Sequence, residues 1–175
     1  MAYAMLGVAH RDIGERDLSV ENLRRAYEFR EGLSEDEKLT VQSFYFEWAV
    51  GDLEKARKSL DQEVQVHPRD WGPHNLLALI YDALGQYQKA LAENLESLRL
   101  NPANPIDRAN LVIRYRWANR FEDACKAADD AKTRGLDSAF LRRNLYSLFF
   151  AQNDTQGMAE EVEWATGRRA LGIRC

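Results

Sequence analysis

The chain has 175 residues and a net charge of −4, with 45% of residues apolar and 30% charged. That length allows one ordinary domain, and the composition is globular and excludes disorder. The negative charge leaves no global basic field to draw in nucleic acid or an anionic membrane, and the basic pairs Arg24–Arg25, Arg142–Arg143 and Arg168–Arg169 read as solvated faces.

The opening MAYAMLGVAH is apolar but has no basic residue before it and runs into Arg11 and Asp12, so it reads as a core helix and not as a signal peptide. Beyond it the chain repeats itself. GDLEKARKSLDQEVQVHP at 51–68 returns as GQYQKALAENLESLRLNP at 85–102. Gly14, Gly51, Gly85, Asn119 and Asn153 each follow an apolar run of helical period. Gly and Asn tolerate a left-handed backbone, so each is expected to close one helix and open a tight turn to the next. Three of the four spacings are 34 residues and the first is 37, which predicts a three-residue insertion within 31–37.

The runs after the anchors are also amphipathic. Leu53, Ala56, Leu60 and Val64 share one face, as do Tyr87, Ala90, Leu91, Leu95 and Leu98, and then Phe121, Ala124, Ala128 and Ala131. Ser34 with Glu37 reads as a capping box, and Asn104 before Pro105 as an N-cap with proline in the first helical place. Pro68 and Pro102 stop the preceding helices, and Gly135 with Asp137 ends one helix and caps another. No segment has sustained β alternation. The prediction is an all-α fold of ten helices in five antiparallel pairs within one domain, 1–175, with repeats near 1–31, 35–68, 70–102, 105–135 and 138–170.

On these residues the chain resembles the tetratricopeptide repeat proteins. The third repeat carries the motif most fully: Leu77, Ala78, Tyr81, Leu84, Gly85, Tyr87, Ala90 and Pro102. The resemblance implies an α/α superhelical solenoid, in which stacked helix pairs bury faces that one pair alone would expose. Where the family places a small residue for close helix contact, this chain has Gly7 and Ala78 but also Phe44, Val112 and Tyr146. The bulky groups predict less regular packing in repeats two and five.

Chemistry is sparse. His10, His67 and His74 have no metal-ligand spacing, and Cys125 and Cys175 form no disulfide framework. No nucleophile elbow, phosphate loop or dinucleotide fingerprint is present, so no catalytic residue, cofactor or metal is expected. An enzyme would need a convergent polar cluster that spacing does not reveal.

The resemblance implies that first helices line a concave groove. The expected peptide-binding residues are Gln42, Tyr45, Asn75, Leu79, Asn110, Ile113, Arg143 and Asn144, with Trp48 on the same general surface. Asn110 and Asn144 lie 34 residues apart, resembling the asparagine ladder by which some such superhelices hold a peptide backbone. An amide suits this because it both donates and accepts. The alternative is that these asparagines bond neighbouring helices. The carboxylate clamp of chaperone co-factors fits badly, since Leu79, Phe140 and Asn144 stand where Asn, Lys and Arg are needed.

The apolar ends suggest a fragment of a longer chain, or a homodimer formed through Met158, Val162 and Trp164; the contrary expectation is that the tail GRRALGIRC folds back as a cap. The stretch from LSEDEKL through HPRDWGPHNLLALIYDALGQYQKAL resembles the repeat regions attached to bacterial serine/threonine protein kinases. The implied function is a noncatalytic arm that binds a protein or peptide partner, with an oligomerisation spacer as the alternative. The expected compartment is the cytoplasm, or the far side of the membrane if such a kinase is membrane-bound.

Overall fold

A computed structural model describes residues 1–167. Among these there are ten α-helices and no strand, and the fold is the all-α helix-pair repeat predicted. The first pair is α1 (Ala2–Asp12) and α2 (Arg16–Glu28). α3 (Glu35–Phe44) and α4 (Leu53–Val66) form the second; α5 (Trp71–Ala83) and then α6 (Tyr87–Leu100) follow in the chain. α7 (Pro105–Trp117) pairs with α8 (Phe121–Thr133), and α9 (Ala139–Gln152) with α10 (Thr155–Ala165). The helices group into two compact units, one of residues 1–86 and one that begins at Tyr87.

Each turn anchor adopts the left-handed conformation. Asn119 and Asn153 reach φ of 59° and 57°, a region that few residues other than glycine enter without strain. The residue after Gly14, Gly85, Asn119 or Asn153 donates its N–H to the carbonyl five residues back, closing the helix end.

The second pair departs from this rule. Asp52 donates to the Phe46 carbonyl, six residues back, at 2.7 Å. Residues Tyr45–Val50 form a π turn, whose wider ring accommodates an extra residue. The first helix of this pair takes two residues more from its start to its anchor than its counterparts at Trp71, Pro105 and Ala139, and the stretch from Arg16 to Glu35 adds one more. The insertion expected within 31–37 is therefore divided. One residue lies in the connection, beside a short 3₁₀ turn at Arg30–Gly32, and two lie in the helix itself.

In the first unit, Ala4, Leu23, Ala26, Val41 and Phe44 form a buried core, with Trp48 and Leu76 packed against it. Gly7 permits the close approach of α1 and α2: a Cβ there would lie 2.7 Å from Leu23 Cγ. Phe44 stacks on Trp48 at 4.8 Å, so the bulky residue in the second pair is accompanied by the irregular turn.

In the second unit, Ala124, Ala128 and Ala131 of α8 meet Leu141, Leu145, Leu148 and Phe149 of α9 and Ala109 and Val112 of α7, with Cys125 half-buried at the margin. Asp107 is fully buried and accepts from Ser97 Oγ at 2.5 Å and Asn104 Nδ2 at 2.9 Å, a polar tie between α6 and α7. In the fifth pair α9 runs without a π turn; Tyr146 is 41% exposed, and Leu145, the motif leucine, is fully buried.

The caps follow the sequence with one difference. Ser34 and Glu37 make both bonds of the capping box, and Asn104 accepts from the Ile106 and Asp107 N–H groups. At α9 the cap is Ser138, which accepts from Leu141 N–H; Asp137 pairs with Arg142 at 2.7 Å instead. Residues 168–175, with Arg168–Arg169, Cys175 and most of the expected capping tail, lie outside the described residues.

Candidate partner-binding surfaces

The residues expected to meet a partner fall into both units. In the first, Gln42, Tyr45, Asn75 and Leu79 are all half-buried. Gln42 accepts weakly from Ser59 Oγ, at 3.5 Å. Tyr45, the first residue of the π turn, stacks on Tyr27 at 4.1 Å, and Phe46 packs edge-on to Tyr27 at 5.7 Å. Arg30 lies over Tyr27 at 3.9 Å and Lys55 over Phe46 at 5.5 Å. The result is a ridge of three rings edged by two cations, the kind of surface that gives large contact area at low side-chain entropy cost. The sequence indicated Tyr45 alone.

In the second unit, Ile113 is half-buried and Arg143 is exposed, its guanidinium 4.6 Å above the Phe140 ring. Asn110 and Asn144 are only 7% and 5% exposed. Asn144 Nδ2 donates to the Ala109 carbonyl at 2.7 Å, so this amide ties α9 to α7. A buried amide that has found a backbone partner contributes chiefly to helix registry.

On α10, Val162 is 51% exposed, and Met158 and Trp164 are half-buried. Trp164 lies against the Arg142 guanidinium at 5.3 Å. Behind it, Arg142 bonds to the buried Glu161 at 3.3 Å, and burial raises the Glu161 carboxyl above its ordinary range.

Two further carboxyls are displaced upward by burial. Glu63, which accepts from Thr40 Oγ1 at 3.0 Å, is raised to about 7; Asp70 and Asp36 add to the shift. Glu47 is raised to about 6, against the pull of Trp48 and Arg11. Neither was indicated by the sequence, since burial of a lone glutamate has no motif. His10 pairs with Glu15 and His67 with Asp36, both at 2.6 Å. Among the described residues no group of three or more His, Cys, Asp or Glu could hold a metal ion, and no helix is long and apolar enough to cross a membrane.

No curated protein matches the sequence. The tetratricopeptide repeat model matches residues 73–104. A thermophilic tetratricopeptide protein of Thermus thermophilus is 18% identical, with TM-score 0.78 over 95% of this chain and 90% of that one. A Podosopora anserina kinesin-light-chain protein of nearly identical repeats is also 18% identical, with TM-score 0.69 over 95% and 92%. MamA MSR-1 is 18% identical as well, with TM-score 0.64 over 94% and 95%. Residues 73–104 thus carry a tetratricopeptide repeat, and the chain has the fold of the tetratricopeptide proteins.

Proposed function

We propose that the chain is a noncatalytic protein-interaction module whose first-helix surfaces hold a peptide or partner segment. The observation that carries this reading is the pair Tyr45 and Phe46 at the end of the second pair's first helix, packed on Tyr27 of α2 and edged by Arg30 and by Lys55 of α4. Tyr and Arg are enriched among the residues that dominate binding energy. In the second unit the contact falls on Ile113 and Arg143, with Asn110 and Asn144 as the supporting layer behind them. Gln42, Asn75 and Leu79 complete the surface in the first. The similarity of residues 33–91 to kinase-attached repeat regions supports a docking or regulatory arm of a larger bacterial signalling protein.

A photo-crosslinking residue placed at Tyr45, and separately at Ile113, tests this. Irradiation in a source-cell lysate should join the same partner to both positions. Partners captured equally by a crosslinker on the second helix α8, at exposed Lys126, would refute the assignment.

A second reading is self-association through α10, favoured by the exposure of Val162 on the last described helix. Its sign would be a monomer–dimer equilibrium in sedimentation that Val162→Asp shifts to monomer.

A further inference from the structure

In the first unit a cavity of about 340 Å³ opens where α1, α2 and the π turn meet. Its lining includes Arg11 at the end of α1, Gly14 in the turn, Arg16 and Ser19 on α2, and Glu47 and Trp48 from the π turn. Ser19 is 2% exposed, and its buried hydroxyl oxygen has no hydrogen-bond partner among the described residues. A buried hydroxyl left unpaired costs stability, and such groups in native proteins mark strain or a ligand position. Arg16 is exposed and makes no side-chain ion pair or hydrogen bond among the described residues. Arg11 uses Nε and Nη2 on Asp12, at 3.2 and 2.8 Å, and stacks over Trp48 at 4.1 Å. That stacking fixes the guanidinium and leaves Nη1 for another acceptor.

We propose that this cavity is a second ligand site, which takes one carboxylate group of a partner peptide between Arg16, Arg11 and the Ser19 hydroxyl. The peptide origin rests on the reading of the chain as an interaction module; the carboxylate chemistry rests on the cavity alone. Two cations, a neutral donor and a flat aromatic wall are the elements of carboxylate recognition. A monoanion fits better than a phosphate dianion. Glu47 and Asp12 offset much of the guanidinium charge, so a doubly charged group would face repulsion from the wall. The volume is at the low end for ligand pockets and suits one side chain.

The charged group that bears on Glu47 is Arg11 of α1, and Arg16 of α2 lines the same cavity; His10 at the end of α1 and Glu15 in the following turn pair with each other. Above pH 6 Glu47 is ionised and opposes an incoming carboxylate; below it the neutral carboxyl can donate. Affinity therefore rises as pH falls from about 7.5 to about 5, where the ligand's own carboxylate is still mostly ionised.

The test is NMR of the 175-residue chain, following the Trp48 indole N–H signal assigned with Trp48→Phe. Three probes are titrated: acetyl-Gly-Glu-Gly-amide, its Gln counterpart, and acetate. The expected result is a saturable shift with the Glu peptide and little with the Gln peptide. Arg16→Gln and Ser19→Ala should each weaken binding about tenfold. Glu47→Gln should strengthen it near neutral pH and flatten the pH dependence. Arg16 is exposed, so its variant keeps the wild-type melting temperature and reads binding alone. Equal shifts with the Glu and Gln peptides, or no shift with either, would overturn the site. Acetate binding as tightly as the Glu peptide would overturn the peptide assignment. Crosslinking at Tyr45 and Ile113 should be unchanged by Arg16→Gln, so failure here and failure of the first-helix surface are distinguishable.

Discussion

The amide nitrogen of Asn144 donates to the carbonyl oxygen of Ala109 across 2.7 Å, joining α9 to α7 where both side chains are shut away from water. Asn144→Ala should therefore act on stability. The expected loss is about 1 kcal/mol for the bond itself, and up to about 3 kcal/mol if a polar group is left buried and unpaired. Denaturant titration would measure it. A variant as stable as wild type would mean that the bond is of little consequence.

Glu63 gives a pH signature. Its folded-state value is about 7, above the ordinary glutamate value, so the native state holds a proton that the unfolded chain has released between about pH 4.5 and 7. Stability from this group is therefore full at low pH and is lost as pH rises through 7. Glu63→Gln keeps an acceptor for Thr40 and removes the charge. Its melting temperature should exceed wild type at about pH 8 and converge with it near pH 4.5. A constant difference across that range would contradict the burial argument.

Gly7 tests the close contact of α1 and α2. Helix propensity alone would favour Gly7→Ala by about 1 kcal/mol. The added methyl would meet Leu23 at 2.7 and 2.8 Å in a packed core, so overpacking should win with a net loss of about 1–3 kcal/mol. In the Gly7→Ala background, Leu23→Ala should cost less than it does alone. Additive losses in that double-mutant cycle would show that the two residues do not compete for space.

Arg142 couples two acids. It holds exposed Asp137 at 2.7 Å and buried Glu161 at 3.3 Å. Arg142→Met leaves Glu161 buried and unpaired, and should cost about 3 kcal/mol at about pH 8. The cost should shrink as pH falls and Glu161 takes up a proton, which thermal melts across a pH series would reveal.

Much of this architecture was legible in the chain. Five residues able to turn left-handed, each after an apolar helical run, fixed the pairs, and Asn119 and Asn153 behave as Gly14 does. Two features were not legible. Spacing reported that three residues were extra but not that two could hide inside a helix, because no residue type marks a π turn in the way Gly or Pro marks a helix end. Equivalence by count also placed Tyr146 at a helix contact, whereas it is 41% exposed. The expected surface residues were located with less depth. Counting along a helix identifies a face, but whether Asn144 points outward or is used by Ala109 depends on how closely α7 approaches.

Affinity capture separates binding through the first helices from binding through α10. Wild type, a Tyr45→Ala/Arg143→Glu double variant and Val162→Asp would be immobilised side by side, each verified as helical by circular dichroism. A source-cell lysate would then be passed over all three. A protein should be retained by wild type and by Val162→Asp and released by the double variant. Retention of the same material by the double variant would rule out the first-helix surfaces, and its loss only from Val162→Asp would place the interface on α10.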